Sequence, residues 1–203
     1  MSPYRHPELG FGLECPEGWG VIEQTSTSAA FGAIGGSRLV RPALNVSWER
    51  TSLDLLAFER RALTVQDREL GPLQLLDLVE EELPAGSARR TLALCVQDDV
   101  LVLDERRVVC AGGGWTLSGA YPVEDSARAG PVLAHAARTL VLPHEPVRVG
   151  TPSDELSERS LTRASLRLSG RWPVFAPPGS WWAARPIRGW SRCSRPRGSR
   201  SSS

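Results

Sequence analysis

The chain has 203 residues, 41% hydrophobic and 23% charged, with 19 glycines, a composition that fits a globular domain and excludes a wholly disordered, fibrous or collagen-like chain. That length permits one domain with a tail or two small domains, and no run approaches the roughly 18 consecutive apolar residues of a membrane span. The net charge is +1, and every one of the 24 basic residues is Arg, so no mechanism that needs a lysine is available.

The first strand signal is Phe11-Gly-Leu-Glu-Cys15, where Phe11, Leu13 and Cys15 fall on one face. Pro16-Glu-Gly-Trp19 then predicts a turn. Residues 28–34 and 43–50 are further strands, and in the second Leu44, Val46 and Trp48 alternate with Asn45, Ser47 and Glu49. Ser52 reads as an N-cap for a helix over 53–68, with Leu55, Leu56, Ala62 and Leu63 as its apolar stripe. Gly71-Pro72 ends it. Leu75–Leu83 is a strand candidate that contains Glu80, Glu81 and Glu82.

Residues 87–120 read as β-structure. Leu92, Leu94 and Val96 alternate, Asp98-Asp99 marks a hairpin turn, and Val100–Ala111 leads through Gly112-Gly-Gly into Trp115–Tyr121. Strands with short turns predict an antiparallel meander. Pro131 suits a first helical turn, and Val132, Leu133, Ala136, Ala137, Leu140 and Val141 predict a helix packed on the sheet and ending before Pro143.

The sequence changes character after about residue 145. Residues 1–150 hold 14 Arg against 20 acidic residues, whereas residues 151–203 hold 10 Arg against three. The expectation is an acidic folded domain over 8–145 and an Arg/Ser/Pro/Gly-rich, mostly disordered tail over 146–203.

The same residues carry a resemblance. A strand running into Cys15-Pro-Glu-Gly-Trp19 is followed by a strand with Leu44-Asn-Val-Ser-Trp48 and then a helix. An antiparallel run ends in Gly114-Trp-Thr-Leu-Ser118, and a last helix closes on Leu140-Val-Leu-Pro143. Over residues 8–143 this resembles the PsbP-like superfamily of α/β/α sandwiches, whose relatives include DcrB-like proteins, LpqN-like lipoproteins and effector-associated (Eag) chaperones. The resemblance implies an α+β fold, a curved antiparallel sheet flanked by helices, and binding or adaptor work with no shared catalytic motif.

No Gly-x-Ser-x-Gly elbow occurs, and Ser118 lies on a predicted strand. Only His6, His135 and His144 could partner a cysteine nucleophile, and His135 reads as a surface histidine. Cys15, Cys95 and Cys110 read as small buried hydrophobes, and with Cys193 they include no CxxC pair. Asp77 with Glu80, Glu81 and Glu82 reads as a solvated acidic edge, since neighbouring strand residues point to opposite sides. Asp98, Asp99 and Asp104 read as turn residues. Neither Gly112-Gly-Gly nor Gly32–Gly36 has a phosphate-binding frame, and both read as turns or bulges. Trp19, Trp48 and Trp115 are assigned to the core.

No catalytic, cofactor or metal residue is therefore nominated, and no cofactor is expected. The leading expectation is a non-catalytic cytoplasmic protein-binding module, an adaptor or chaperone linked to secretion or the cell envelope. Cytoplasmic residence is the expectation from the thiols and from a start, Met1-Ser-Pro-Tyr, without an apolar signal region or a lipobox. A small-molecule or lipid carrier is the alternative. The third reading is a basic tail, with Trp172, Trp181, Trp182 and Trp190 among its arginines, that binds nucleic acid or an anionic surface. A protein partner is expected, and homo-oligomerisation stays open.

Overall fold

The computed structural model describes residues 2–33, 42–96, 99–145 and 147. The expected tail lies outside the described residues apart from Val147, as do Asp98, Cys193 and the four tail tryptophans. Among these residues nine strands and two α-helices follow in chain order: β1 Ser2–Arg5, β2 Gly12–Cys15, β3 Trp19–Gln24, β4 Ser28–Ala33, β5 Ala43–Arg50, α1 Leu55–Leu70, β6 Leu73–Leu83, β7 Gly86–Val96, β8 Val100–Cys110, β9 Gly113–Pro122 and α2 Ser126–Arg138. Seven strands form one sheet in the order β3-β4-β5-β9-β8-β7-β6, and every neighbouring pair is antiparallel. β1 and β2 pair separately, and Gly12 bridges to Val141 beyond α2.

The expected α+β fold is present, with helices on both sides of the sheet. Two glycines of β9 show how the helices are divided. A Cβ at Gly114 would overlap the Phe58 ring of α1, and one at Gly119 would overlap Leu133 of α2. The two positions are five apart on a strand whose register is unbroken, so they face opposite ways. Each glycine lets one helix approach closely.

The side under α2 is apolar except where β8 places Asp104 and Arg106. Leu44, Val46, Trp115 and Leu117 pack there with Leu133, Ala136, Ala137 and Leu140, and with Leu9, Phe11, Leu13 and Cys15 from the β1–β2 unit. Phe11 meets Trp115 edge-on, with ring centroids 5.9 Å apart. Trp115 is buried as expected, whereas Trp19 and Trp48 are half-buried and pack against the rim of the same cluster. His6 closes one end. Its Nδ1 accepts from the Glu8 and Leu9 backbone N–H groups at 3.2 and 3.0 Å, and its Nε2 then donates to the Thr25 carbonyl at 2.9 Å.

Several local expectations are corrected. The cap of α1 is Asp54, whose Oδ1 accepts from the Ala57 N–H at 2.8 Å. Ser52 is displaced because Thr51 Oγ1 already takes the Leu53 N–H in a turn of its own. Pro131 is inside α2, not in its first turn; a 3₁₀ turn over Val123–Asp125, opened by Pro122, starts the helical run earlier. Gly112 has the positive φ expected of a turn, but Gly113 and Gly114 belong to β9, where Trp48 and Phe58 cover them. Trp19 ends the Pro16 turn and also begins β3.

Candidate functional site

Under α1 the sheet is polar apart from an apolar patch of Cys95, Leu103 and Ala120 near Leu70. Along β8, Asp104, Glu105, Arg106 and Arg107 are consecutive and none is more than 4% exposed. Asp104, expected in a turn, is instead in mid-strand opposite Leu92 and Gly119. Alternation sends Glu105 and Arg107 to the α1 side and Asp104 and Arg106 to the α2 side.

On the α1 side the buried charges form a chain across four strands. Ser118 of β9 donates to Glu105 Oε1 at 2.7 Å, and Glu105 also accepts from Gln66 at 2.7 Å and from Arg107. Arg107 donates to Gln66 Oε1 and to Thr91 Oγ1 at 3.1 and 3.2 Å. Thr91 donates to Glu59 Oε1 at 3.1 Å, and Arg89 bridges Glu59 to Glu80. This layer shifts the expected face of α1, although Leu55, Ala62 and Leu63 are half-buried as their stripe predicts. Phe58 and Glu59 are its buried residues, and Leu56 is 41% exposed. The helix turns Glu59 and Gln66 inward because the strands beneath offer guanidinium and carboxylate partners that must be satisfied.

The chain of charges ends at β6, the outermost strand. Asp67 Oδ1 accepts from the Leu73 N–H and fastens the start of β6 to the end of α1. Gly86, at φ 116°, makes the turn into β7. β6 runs for 11 residues and, among the described residues, pairs only with β7, so that within them its outer edge leaves backbone groups open. Leu75, Leu76, Leu78 and Val79 are 38–50% exposed along it. Natural edges are commonly blunted by short length, proline, charged side chains or a bulge; β6 is long and has no proline, and its charges, at Asp77 and Glu80–Glu82, and its register shift, between Leu75 and Asp77, leave Leu75, Leu76, Leu78 and Val79 exposed.

The acidic residues of β6 behave as an edge, with alternating directions. Glu80 reaches Arg89 and Glu82 accepts from Ser87 Oγ at 2.6 Å, both on the α1 side. Glu81 stands 3.0 Å from Arg106 on the other side, and Asp77 accepts from the Leu78 N–H at 3.0 Å. Between this strand and the start of α1 lies a cleft of about 340 Å³, lined by Asp54, Leu55, Leu56, Glu80, Glu81, Glu82, Ser87, Ala88 and Arg89. Sequence reasoning placed the acids correctly but missed the cleft and the exposed leucines, because both depend on which strand is outermost.

The other candidates disperse. His135 sits on α2 with Nε2 2.7 Å from Glu14, His6 is buried in its backbone contacts, and Ser118 serves Glu105. Cys15 and Cys95 are buried and Cys110 is half-buried, all as free thiols. Burial pushes the Cys15 and Cys110 thiols up. Among the described residues, no three His, Cys, Asp or Glu side chains converge as a metal would require, and no helix is long and apolar enough to cross a membrane.

No protein-family profile and no curated protein matches the chain. Solved structures do. The cyanobacterial PsbP of Synechocystis sp. PCC 6803 aligns with a TM-score of 0.54 at 13% identity, covering 70% of this chain and 92% of that one. LpqN of Mycobacterium tuberculosis, described as involved in cell envelope biogenesis, aligns at 0.52 and 12%, covering 70% and 90%. The Ran-binding protein Mog1p of Saccharomyces cerevisiae aligns at 0.52 and 12%, covering 71% and 95%. At such identities the likeness concerns architecture alone. The seven-stranded antiparallel sheet with helices on both faces is a PsbP-like fold, as the motifs at Cys15–Trp19 and Gly114–Ser118 implied.

Proposed function

We propose that the protein is a non-catalytic, cytoplasmic protein-binding module whose binding edge is β6. One observation carries this reading: an 11-residue outer strand that leaves its backbone edge open and four large apolar side chains exposed. An exposed edge of that kind accepts an extended segment as an added strand, with main-chain hydrogen bonds for affinity and flanking side chains for selection. The Ran-binding activity in the description of Mog1p and the envelope role in that of LpqN fit an adaptor on this scaffold. The carboxylates that line the cleft make an apolar carrier the weaker reading.

Site-directed photocrosslinking tests the proposal. A benzoylphenylalanine at Leu78 is compared with one at Val21 on the opposite edge strand β3, both in the native host. The expected result is one protein crosslinked from position 78, identified by mass spectrometry, that rebinds in purified form and is not crosslinked from position 21. Equal labelling from both edges, or a captured protein that fails to rebind, would remove β6 from the proposal.

A further inference from the structure

The charge of the edge selects its occupant. β6 carries Asp77, Glu80, Glu81 and Glu82 and no basic residue. Glu80 is engaged by Arg89 and Glu81 by Arg106. Asp77 accepts from the Leu78 N–H and also acts by charge on the Arg90 guanidinium, whereas Asp54 and Glu82 accept from neutral donors, the Ala57 N–H and Ser87 Oγ. An edge-to-edge pair of two β6 strands would double this carboxylate row in one ladder. Like charges at that spacing oppose pairing, so the acids disfavour a second copy while leaving the apolar half of the strand usable.

We propose, resting on the reading of β6 as a binding edge, that the occupant is an extended cationic segment of a partner protein. Its arginines lie over Glu80–Glu82 and its aliphatic residues over Leu75–Val79. The cleft beside the strand matches an arginine in both of its parts. Leu55, Leu56 and Ala88 offer apolar wall for the aliphatic stem. The carboxylates of Asp54 and Glu82 lie among the same lining residues and offer planar acceptors for the guanidinium. The segment need not be long, because the strand itself has 11 residues.

Fluorescence anisotropy on the full chain tests this. The probe is a labelled ten-residue peptide with arginines in one half and leucine and valine in the other. Its sister peptide has glutamate in place of arginine. The expected result is saturable binding of the arginine peptide, weakened by added salt, with the sister bound at least about tenfold more weakly. Asp77→Arg with Glu82→Arg should reverse that preference, and the milder Asp77→Asn with Glu82→Gln should weaken binding without reversing it. Circular dichroism confirms that each variant keeps the fold.

Equal affinity for the two peptides, or a preference untouched by both variants, would overturn the inference. So would binding that appears only when Arg159, Arg163, Arg167 and Arg171 are changed to Glu, because the chain's own basic segment would then be the occupant. A mass that doubles with concentration and is lost in D77R/E82R would assign the edge to a second copy, which also overturns it. If the Leu78 crosslink identifies a partner while the peptides are not discriminated, the binding edge stands and only its cationic selectivity falls. If neither experiment responds, both fall.

Discussion

Arg90 donates from Nε and Nη2 to the two carboxylate oxygens of Asp104 at 2.9 and 3.1 Å, joining β7 to β8 through a side-chain pair next to their backbone ladder. Arg106 donates to the same Asp104 Oδ1 at 2.9 Å. One buried carboxylate thus serves two guanidinium groups, and the hydrogen bond to Asp104 raises the Arg90 pKa further. Asp104→Leu removes the carboxylate that accepts hydrogen bonds from both and leaves Glu81 as the acid beside Arg106, at 3.0 Å. The expected cost is about 3 kcal/mol, in the range for breaking a buried ion pair from one side. Replacing all three residues with Met, Leu and Met should cost less than Asp104→Leu alone. Urea unfolding of the two variants decides between these orders.

A second prediction concerns the close approach of α2. Gly119 on β9 lies against Leu133, and a methyl group there would overlap its Cδ1. Gly119→Ala should destabilise the fold by roughly 1–3 kcal/mol through overpacking. Leu133→Ala alone should also destabilise it, by loss of a fully buried side chain. Because the two changes act on one volume, the double variant should be more stable than the sum of the single losses implies. Additive losses in thermal melts would show that α2 does not rest on Gly119.

His6 supplies a third. Its ring contacts two backbone N–H groups and the Thr25 and Ser28 carbonyls at an end of the core where it is 1% exposed. His6→Ala removes those contacts and opens a cavity. A loss of about 2–3 kcal/mol is expected. His6→Asn, which offers an acceptor and a donor on a shorter side chain, should recover part of it. If the Asn variant unfolds as early as the Ala variant, packing and not hydrogen bonding explains the position.

The alternating strands were legible in the sequence because one face of each is buried. Leu13 and Cys15, Leu44 and Val46, and Leu117 all point into the apolar side. β1 and β3 were not legible: Ser2–Arg5 is mostly exposed, and β3 has a register shift between Val21 and Glu23 that spoils its period. α1 was found and its face only in part, since Leu55, Ala62 and Leu63 are half-buried but Leu56 is exposed and Glu59 is buried. Hydrophobic periodicity assumes an apolar surface beneath a helix, whereas this one rests on Glu105, Arg107 and Thr91. Asp104 was misassigned for a related reason. An acidic residue in a strand reads as a turn unless its buried partner is known, and Arg90 comes from another strand. The candidate site was half legible, since the carboxylates were visible at 77–82 but the edge position of β6 is a property of the strand order.

The last prediction concerns alkaline stability. Burial pushes the Cys15, Cys110, Tyr4 and Tyr121 pKa values up, and the hydrogen bond to Asp104 does the same for Arg90. Each group holds its proton more tightly folded than unfolded. The stability this contributes is therefore complete below the unfolded pKa and is lost as pH rises through the folded one. The thiols act first, because their ordinary value of 9.0 lies below the 10.0 of the phenols. The unfolding midpoint should start to decline above about pH 9 and fall more steeply once the tyrosines join. Cys15→Ala with Cys110→Ala should delay the onset towards the tyrosine range at some loss of stability at neutral pH. An unchanged onset in that double variant would assign the alkaline loss to the phenols and Arg90, and would mean that the two thiols titrate alike in the folded and unfolded chain.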